Sequence, residues 1–279
     1  MLKGINQWGF PEGTSMEDIF HHAEVAGYDA VELNLNPAGG IGLTMESTTR
    51  EAQAILALAS RHGIKLRSLS TSLLWRTPLS SADPDVRALG AAVVTKQIEL
   101  ASLLGMDTIL VVPGAVNADN SYDECYTRSQ EEIKKLLPLA QQHGVYIGIE
   151  NVWNKFLLSP LEMNRYIDEM DSKMAGVYFD VGNILLYGFP EQWIRILGSR
   201  IRKIHVKDFN TQVGNGAGFV PLLSGNVNWV QVHQALQEIG YTDTLTAELS
   251  PYAANPFQMV YDTSHQLDII IGRSSISAN

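Results

Sequence analysis

The sequence predicts an α/β fold in which a single domain, residues 1–279, forms a (β/α)8 barrel. Eight short β-like runs alternate with stretches of helical apolar spacing, and no linker or shift in composition divides the chain. Alternating β and α units make a parallel sheet, and eight of them usually close into a TIM barrel. An open doubly wound sheet is the alternative, but the residues after the first run, Asn6-Gln7-Trp8-Gly9, do not form its Gly-rich fingerprint.

The residues between the elements support this order. Strands are predicted, in chain order, at residues 2–8, 30–35, 65–71, 108–114, 146–151, 176–183, 201–209 and 244–250. Helical stretches between them include residues 14–27, 44–62 and 85–104. Thr14 and Ser159 occupy positions typical of helix N-caps. Several helices should end at a glycine just before the next strand, because glycine tolerates the left-handed conformation there; these are Gly27, Gly63, Gly105, Gly144 and Gly240.

Composition and charge limit the possible function classes. Of the 279 residues, 45% are hydrophobic and 18% are charged, which is typical of a globular domain. The net charge is −10 and no cluster of Lys and Arg appears, so we expect no nucleic acid partner. The most apolar stretch, residues 98–116, is interrupted by Glu99 and Asp107, so we expect no membrane span. With one cysteine, Cys125, and no secretory signal at the N-terminus, we expect a cytoplasmic protein.

Four ionisable residues lie near the ends of the last four predicted strands, where TIM barrels carry their catalytic groups. They are Glu150, Asp180, His205 and Glu248. Side chains alternate in direction along a strand, so these four should face the barrel axis if their preceding neighbours face the helices. Those neighbours are all apolar: Ile149, Phe179, Ile204 and Ala247. We therefore expect three carboxylates and one imidazole to converge at the barrel mouth.

Converging carboxylates repel one another, so some must be protonated or a cation must neutralise them. One divalent metal ion is the natural solution, and mixed carboxylate and imidazole ligands suit Mn, Co, Mg, Fe or Zn. Each residue taken alone has an ordinary explanation, such as a helix cap, a surface ion pair or a structural histidine. Four inward positions on four consecutive strands favour a functional site.

At these residues the sequence resembles the xylose isomerase-like barrel superfamily. The segments GIENVWN, YFDVGN, IHVKDF and TAELS are similar to the four metal-bearing strand ends of that family, and the resemblance covers essentially the whole chain. The family includes ketose 3-epimerases, sugar isomerases and endonuclease IV-type DNA repair enzymes. The nuclease branch adds histidines for three metals, whereas here the third and fourth strands offer none and Asn183 replaces another. The resemblance therefore implies one metal and sugar chemistry.

The activity implied by this resemblance is epimerisation of a ketose or ketose phosphate at C3, similar to that of D-tagatose and L-xylulose-5-phosphate 3-epimerases. Glu150 and Glu248 would be the acid/base pair, each also touching the metal, while Asp180 and His205 would be ligands only. Aldose–ketose isomerisation and polyol dehydration on the same site remain alternatives. A non-catalytic sugar-binding protein and a repair nuclease are less favoured. Family members often pair, so we expect a possible homodimer or homotetramer.

Seven further residues are candidates for substrate contacts or for supporting them, and structural roles are the alternative. Lys207 should face inward two positions after His205, and Asn183 can donate and accept hydrogen bonds. Trp8 follows the first strand and offers an aromatic face, as do Trp75 and Trp153 after later strands. Lys155 could reach an anion from its loop, and Glu32 could orient a polar group. The glycine-rich residues 214–218 could form a lid or a plain connection.

Overall fold

The computed structural model describes residues 1–273, and eight parallel strands in it close into a barrel. Each strand pairs with the next along the chain, and β8 pairs with β1 to complete the ring. The predicted (β/α)8 TIM barrel is thus confirmed, while the last six residues of the range predicted for the domain lie outside the described part. The strands are β1 Leu2–Asn6, β2 Ala30–Asn36, β3 Lys65–Thr71, β4 Thr108–Val111, β5 Tyr146–Glu150, β6 Ala175–Asp180, β7 Ile201–Val206 and β8 Thr244–Ala247.

Several strands end earlier than the sequence pattern predicts, because polar side chains at their carboxyl ends turn the backbone. At the end of β1 the Asn6 side chain accepts a hydrogen bond from the Trp8 amide at 2.7 Å, and residues Gln7–Gly9 form a short 3-10 turn. At the end of β6 the Asp180 side chain accepts from the Asn183 amide at 2.7 Å. These local bonds replace the strand ladder and open the barrel mouth where functional groups are expected.

Within residues 1–273, eight α-helices surround the barrel: α1 Met16–Val25, α2 Thr49–Arg61, α3 Pro84–Leu103, α4 Tyr122–His143, α5 Pro160–Asp168, α6 Pro190–Leu197, α7 Trp229–Glu238 and α8 Gln258–Ile270. None of these helices, in the part of the chain that is described, combines the length and apolar character needed to cross a bilayer.

The helix ends mostly follow the sequence prediction. Ser159 caps α5 as predicted, but Ser15 rather than Thr14 caps α1, since it is the Ser15 side chain that accepts a hydrogen bond from a first-turn amide. The α2 helix starts after the cap Thr48, later than predicted, because the intervening residues Leu43–Thr44 extend the sheet beside β2. All of the glycines predicted to end helices have positive φ: Gly27, Gly63, Gly105, Gly144 and Gly240.

The apolar core lies between the strands and the helices, and it confirms the predicted alternation. The residues expected to face the helices, Ile149, Phe179, Ile204 and Ala247, are all buried in the main hydrophobic cluster. The Phe179 ring stacks on Trp193 of α6. A separate small cluster, to which Tyr178 belongs, lies apart from this layer. The alternation therefore leaves Asp180, two residues after Tyr178, on the inner side of the sheet.

Candidate metal centre and active site

The four side chains predicted to converge do so. One ligand atom from each of Glu150, Asp180, His205 and Glu248 can be chosen so that all four lie within 4.8 Å of one another. Glu150 and Asp180 are the last residues of β5 and β6, His205 is the penultimate residue of β7, and Glu248 directly follows β8. Glu150, Asp180 and His205 are buried, and the Glu248 side chain is 18% exposed. The cluster thus lies at the carboxyl end of the barrel and opens towards solvent on the Glu248 side.

The two nitrogens of His205 face different surroundings. Nδ1 lies 3.2 Å from Glu150 Oε1 and 3.0 Å from Glu248 Oε2, so it belongs to the cluster. Nε2 lies 2.6 Å from Glu32 Oε1 on the other side of the ring. A carboxylate on one nitrogen of a histidine fixes the ring and leaves the second nitrogen for a metal ion. His205 therefore has the surroundings of a ligand that binds through Nδ1.

Glu32 is buried beside His205 rather than standing at the mouth, and polar side chains inside the barrel surround its carboxylate. Asn6 Nδ2 donates to Oε1 at 2.6 Å, Ser68 Oγ donates to Oε2 at 2.5 Å, and the Tyr178 hydroxyl also donates to Oε2. Burial raises the pKa of Glu32, but the His205 charge and the hydrogen bonds from His205, Ser68 and Tyr178 outweigh it, and the pKa is lowered overall. Asn6, Ser68 and Tyr178 were not predicted as site residues, although all of them belong to predicted strands.

The cluster concentrates negative charge in a buried place. Burial raises the pKa of Glu150 to about 7, and the charge of Glu248 adds to that rise. Burial likewise raises the pKa of Asp180. Burial alone would lower the pKa of His205, but the charges of Glu32 and Glu248 hold it well above its usual value. These shifts all have one origin, a surplus of carboxylates away from water, which positive charge at the centre relieves.

Lys207 supplies part of this positive charge. Its Nζ lies 3.1 Å from Asp180 Oδ2 and 2.7 Å from Glu248 Oε2, and its side chain is only 16% exposed. These ion pairs lack good hydrogen-bond geometry, and the two carboxylate oxygens accept no other hydrogen bond within the described residues. Two carboxylate oxygens that have ion-pair neighbours but no satisfied hydrogen bond, together with an imidazole nitrogen, make a donor set that fits a divalent metal ion.

Asn183 lies in a buried contact between two strand ends, and Lys155 lies on an exposed loop. The Asn183 side chain is buried and donates to the Asn151 backbone carbonyl at 3.0 Å, while the backbone carbonyl of Asn183 accepts from Trp153 Nε1 at 2.8 Å. Asn183 thus links the ends of β5 and β6. Lys155 is exposed on its loop with φ 59° and forms no ion pair with the described residues.

The mouth beside Glu248 is a cavity of about 640 Å³ with aromatic walls. Trp8, Phe219 and Tyr252 line it together with Lys207 and Glu248. Trp153 packs against Phe219 instead of lining this cavity, and Trp75 is half exposed on the surface. Trp8 was predicted as a candidate, whereas Phe219 and Tyr252 were not, because both follow loops whose course the strand pattern does not predict.

The glycine-rich segment after β7 is more ordered than a plain connection. Residues Gly216–Gly218 form a 3-10 turn, and Phe219–Val220 then pairs antiparallel with Asp208–Phe209. The buried carboxylate of Asp208 accepts hydrogen bonds from the Val227 amide at 3.1 Å and from Trp229 Nε1 at 3.0 Å. The hairpin is thereby tied to the start of α7, and it holds Phe219 over the ammonium of Lys207, 5.6 Å from the ring centre.

Comparisons with known proteins agree with this fold. The model of a family described as xylose isomerase-like TIM barrel matches residues 20–266. An L-ribulose-5-phosphate 3-epimerase of Salmonella paratyphi A is 24% identical over 255 residues, which cover 91% of this chain and 89% of the relative. Among solved structures, a D-psicose 3-epimerase matches with a TM-score of 0.81 at 18% identity, covering 98% of this chain and 100% of the other. An L-ribulose 3-epimerase matches with a TM-score of 0.81 at 17% identity, covering 98% and 95%.

Proposed function

Because the chain belongs to the xylose isomerase-like TIM-barrel family, we propose that it is a divalent-metal-dependent ketose 3-epimerase. The observation that carries the proposal is the convergence of Glu150, Asp180, His205 and Glu248 at the barrel mouth. The curated relative that spans nearly the whole chain is a 3-epimerase of a ketose phosphate, which supports the reaction class. The expected partner is therefore a small sugar or sugar phosphate.

The metal ion would be held by Glu150, Asp180, His205 Nδ1 and Glu248. When bound, such an ion supplies a Lewis acid that polarises the ketose carbonyl and lowers the barrier to loss of the neighbouring proton. Lys207 also contacts Asp180 and Glu248, so it would help to neutralise them and is placed to donate a hydrogen bond to a substrate oxygen.

Inversion at C3 requires one base on each face of the reacting carbon. Glu150 ends β5 and Glu248 follows β8, so two intervening strands separate them around the barrel. Both carboxylates nevertheless approach the same nitrogen of His205, at 3.2 and 3.0 Å. A ketose seated at this centre would have one carboxylate on each side. One carboxylate would remove the C3 proton, and the other would return a proton to the opposite face.

The test is hydrogen exchange in D2O with a panel of free and phosphorylated ketoses and the metal-free protein reloaded with Mn, Co, Mg, Fe or Zn. Epimerisation should incorporate deuterium at C3, and treatment with a chelator should stop it. Deuterium confined to C1 or C2 would instead identify an aldose–ketose isomerase and overturn the proposal. Loss of water from a cyclic polyol without C3 exchange would identify a dehydratase.

The roles of the two glutamates are tested by Glu150→Gln and Glu248→Gln, which should each lower kcat by about a hundredfold or more, because general acid/base groups contribute about that much. Glu162→Gln, on the α5 helix outside the metal cluster, is the control and should retain activity. Exchange at C3 at the wild-type rate in both active-site variants would contradict the assignment.

A further inference from the structure

Two cavities at the barrel mouth share a wall. The first, of about 640 Å³, contains Glu248 and Lys207 of the proposed active site. The second, of about 620 Å³, lies between the connections that follow β1 and β2. Trp8 and Pro251 line both cavities. Ligand cavities typically measure about 300–1,000 Å³, so each of the two has the size of a separate binding site.

Hydrogen bonds hold Trp8, which forms part of the wall between the two cavities, in place. The Trp8 backbone amide donates to Asn6 Oδ1 at 2.7 Å. The Trp8 ring nitrogen lies 2.9 Å from the side-chain amide of Asn34, with that amide oriented so that its oxygen accepts. Both ends of the residue are thereby anchored, and its ring stands between the cavities. Aromatic faces fixed in this way suit the apolar C–H surfaces of sugars.

The chemistry of the second cavity indicates an uncharged, hydroxyl-bearing ligand. Its polar lining includes the amide side chains of Gln7 and Asn36, whose oxygens keep lone pairs that can accept from hydroxyl groups, while their nitrogens donate to the loop backbone. Among the described residues, Glu12 is the only charged one that lines this cavity, and it would repel an anion. A phosphate group generally requires Arg, Lys or a cluster of backbone amides. The lining therefore fits a neutral sugar better than a phosphate.

The loops that form the second cavity are held together by their own polar groups. The Asn34 backbone amide donates to Gln7 Oε1 at 3.0 Å, which joins the β2 end to the turn after β1. Asn36 Nδ2 donates to the Ile41 carbonyl at 2.8 Å, which closes the loop after β2 onto itself. The cavity is thus a built part of the barrel mouth.

From these observations we propose that the substrate is a ketose that carries a second, uncharged sugar. The ketose occupies the cavity at Glu248 and Lys207, and the second sugar passes Trp8 into the neighbouring cavity. This inference rests on the proposed epimerase function and names the substrate class of the same site.

The experiment compares kcat/KM for deuterium exchange at C3 between the glycosylated ketoses isomaltulose and lactulose, the free ketoses D-fructose and L-ribulose, and D-fructose 6-phosphate. A glycosylated ketose should exceed the free ketoses and the phosphate by about tenfold or more. If kcat/KM for a free or phosphorylated ketose equals or exceeds that for the glycosylated ketoses, the inference is overturned, but the epimerase proposal is unaffected. Exchange with none of these sugars contradicts both.

Variants that fill the second cavity test it directly. Ile41→Trp changes a residue that lines only this cavity, and it should lower kcat/KM for the preferred glycosylated ketose by about tenfold while D-fructose changes less than about twofold. Pro37→Trp, at another exposed position of the same lining, should lower kcat/KM in the same way. It keeps the inference testable if Ile41→Trp fails to fold. Val230→Trp, on an exposed α7 position outside both cavities, is the matched control. If the cavity-filling variants lower kcat/KM equally for the glycosylated ketose and for D-fructose, the inference is overturned.

Discussion

His205 has carboxylates on both sides of its ring, and the two sides serve different purposes. Glu150 and Glu248 approach Nδ1, while Glu32 approaches Nε2 from the interior of the barrel. The carboxylate on Nε2 keeps the imidazole proton there and leaves Nδ1 free to bind a metal. Glu32 is therefore a positioning residue that acts through His205.

At the residue scale, Glu32→Gln should weaken binding of Mn²⁺ to the metal-free protein by about 10- to 100-fold, since the loss of such a partner typically has that effect. The measurement is calorimetric titration with Mn²⁺, combined with thermal unfolding of the metal-free variant to verify its fold. Glu99→Gln, an exposed glutamate on α3, is the control and should bind as the wild type does.

Tyr178→Phe removes a single hydrogen bond to Glu32 and should shift Mn²⁺ affinity in the same direction by a smaller factor. An unchanged dissociation constant in folded Glu32→Gln protein would show that Glu32 does not support the metal ligand.

At the scale of elements, helix termini anchor the outer layer of the barrel. The start of α2 carries a capping box, in which Thr48 Oγ1 accepts from the Glu51 amide at 3.3 Å and Glu51 Oε2 accepts from the Thr48 amide at 2.8 Å. These bonds satisfy two backbone donors that a helix start otherwise leaves unpaired. They also explain why α2 starts at Thr49 and not at the earlier threonine where its apolar pattern begins.

Thr48→Ala should lower the free energy of unfolding by about 0.5–2 kcal/mol, because the capping oxygen is lost. Urea denaturation measures this change. Thr49→Ala, the neighbouring exposed threonine inside the helix, keeps the cap and is the control. If Thr48→Ala and the control unfold at the same urea concentration, the capping bonds contribute nothing to stability.

For the whole molecule, a charged cluster closes the amino-terminal end of the barrel, opposite the active site. The buried Lys203 ammonium lies 2.6 Å from Asp107 Oδ1 and 2.5 Å from Asp243 Oδ2. Arg67 also bridges these two aspartates, with both distances at 2.7 Å. Because these residues come from β3, β7 and the segments before β4 and β8, the cluster ties distant parts of the ring together.

The cluster should make stability depend on acid pH. Burial raises the pKa of Asp243, but Arg67 and Lys203 outweigh it and lower that pKa to about 2, below the unfolded value of about 3.9. A depressed carboxylate pKa stabilises the folded state above the unfolded pKa, and the contribution is lost as pH falls from about 4 to about 2. Asp243→Asn should therefore lower the melting temperature more at pH 7 than at pH 2.5.

Thermal unfolding across this pH range measures the difference, and the exposed loop variant Asp119→Asn is the control. A loss of melting temperature in Asp243→Asn that is equal at both pH values would contradict the assigned pKa.

The repeated β and α pattern by itself determined the barrel and the four converging residues. Closure requires eight units, and the alternation of side chains along each strand is a local property that reveals which residue faces inward. Thus Glu150, Asp180, His205 and Glu248 were predicted together, and Lys207 was predicted to face inward. The cytoplasmic location and the homodimer or homotetramer stay predictions.

Only the tertiary structure decided which other residues contact these four. Glu32 is far from His205 in sequence, and its place beside Nε2 follows from strand register around the closed ring. The same register turns Asn183 towards Asn151 and sets Trp8 between two cavities. The physical reason is that the face on which a side chain lies depends only on its position along its own strand, whereas contact across a barrel depends on the stagger of all eight strands.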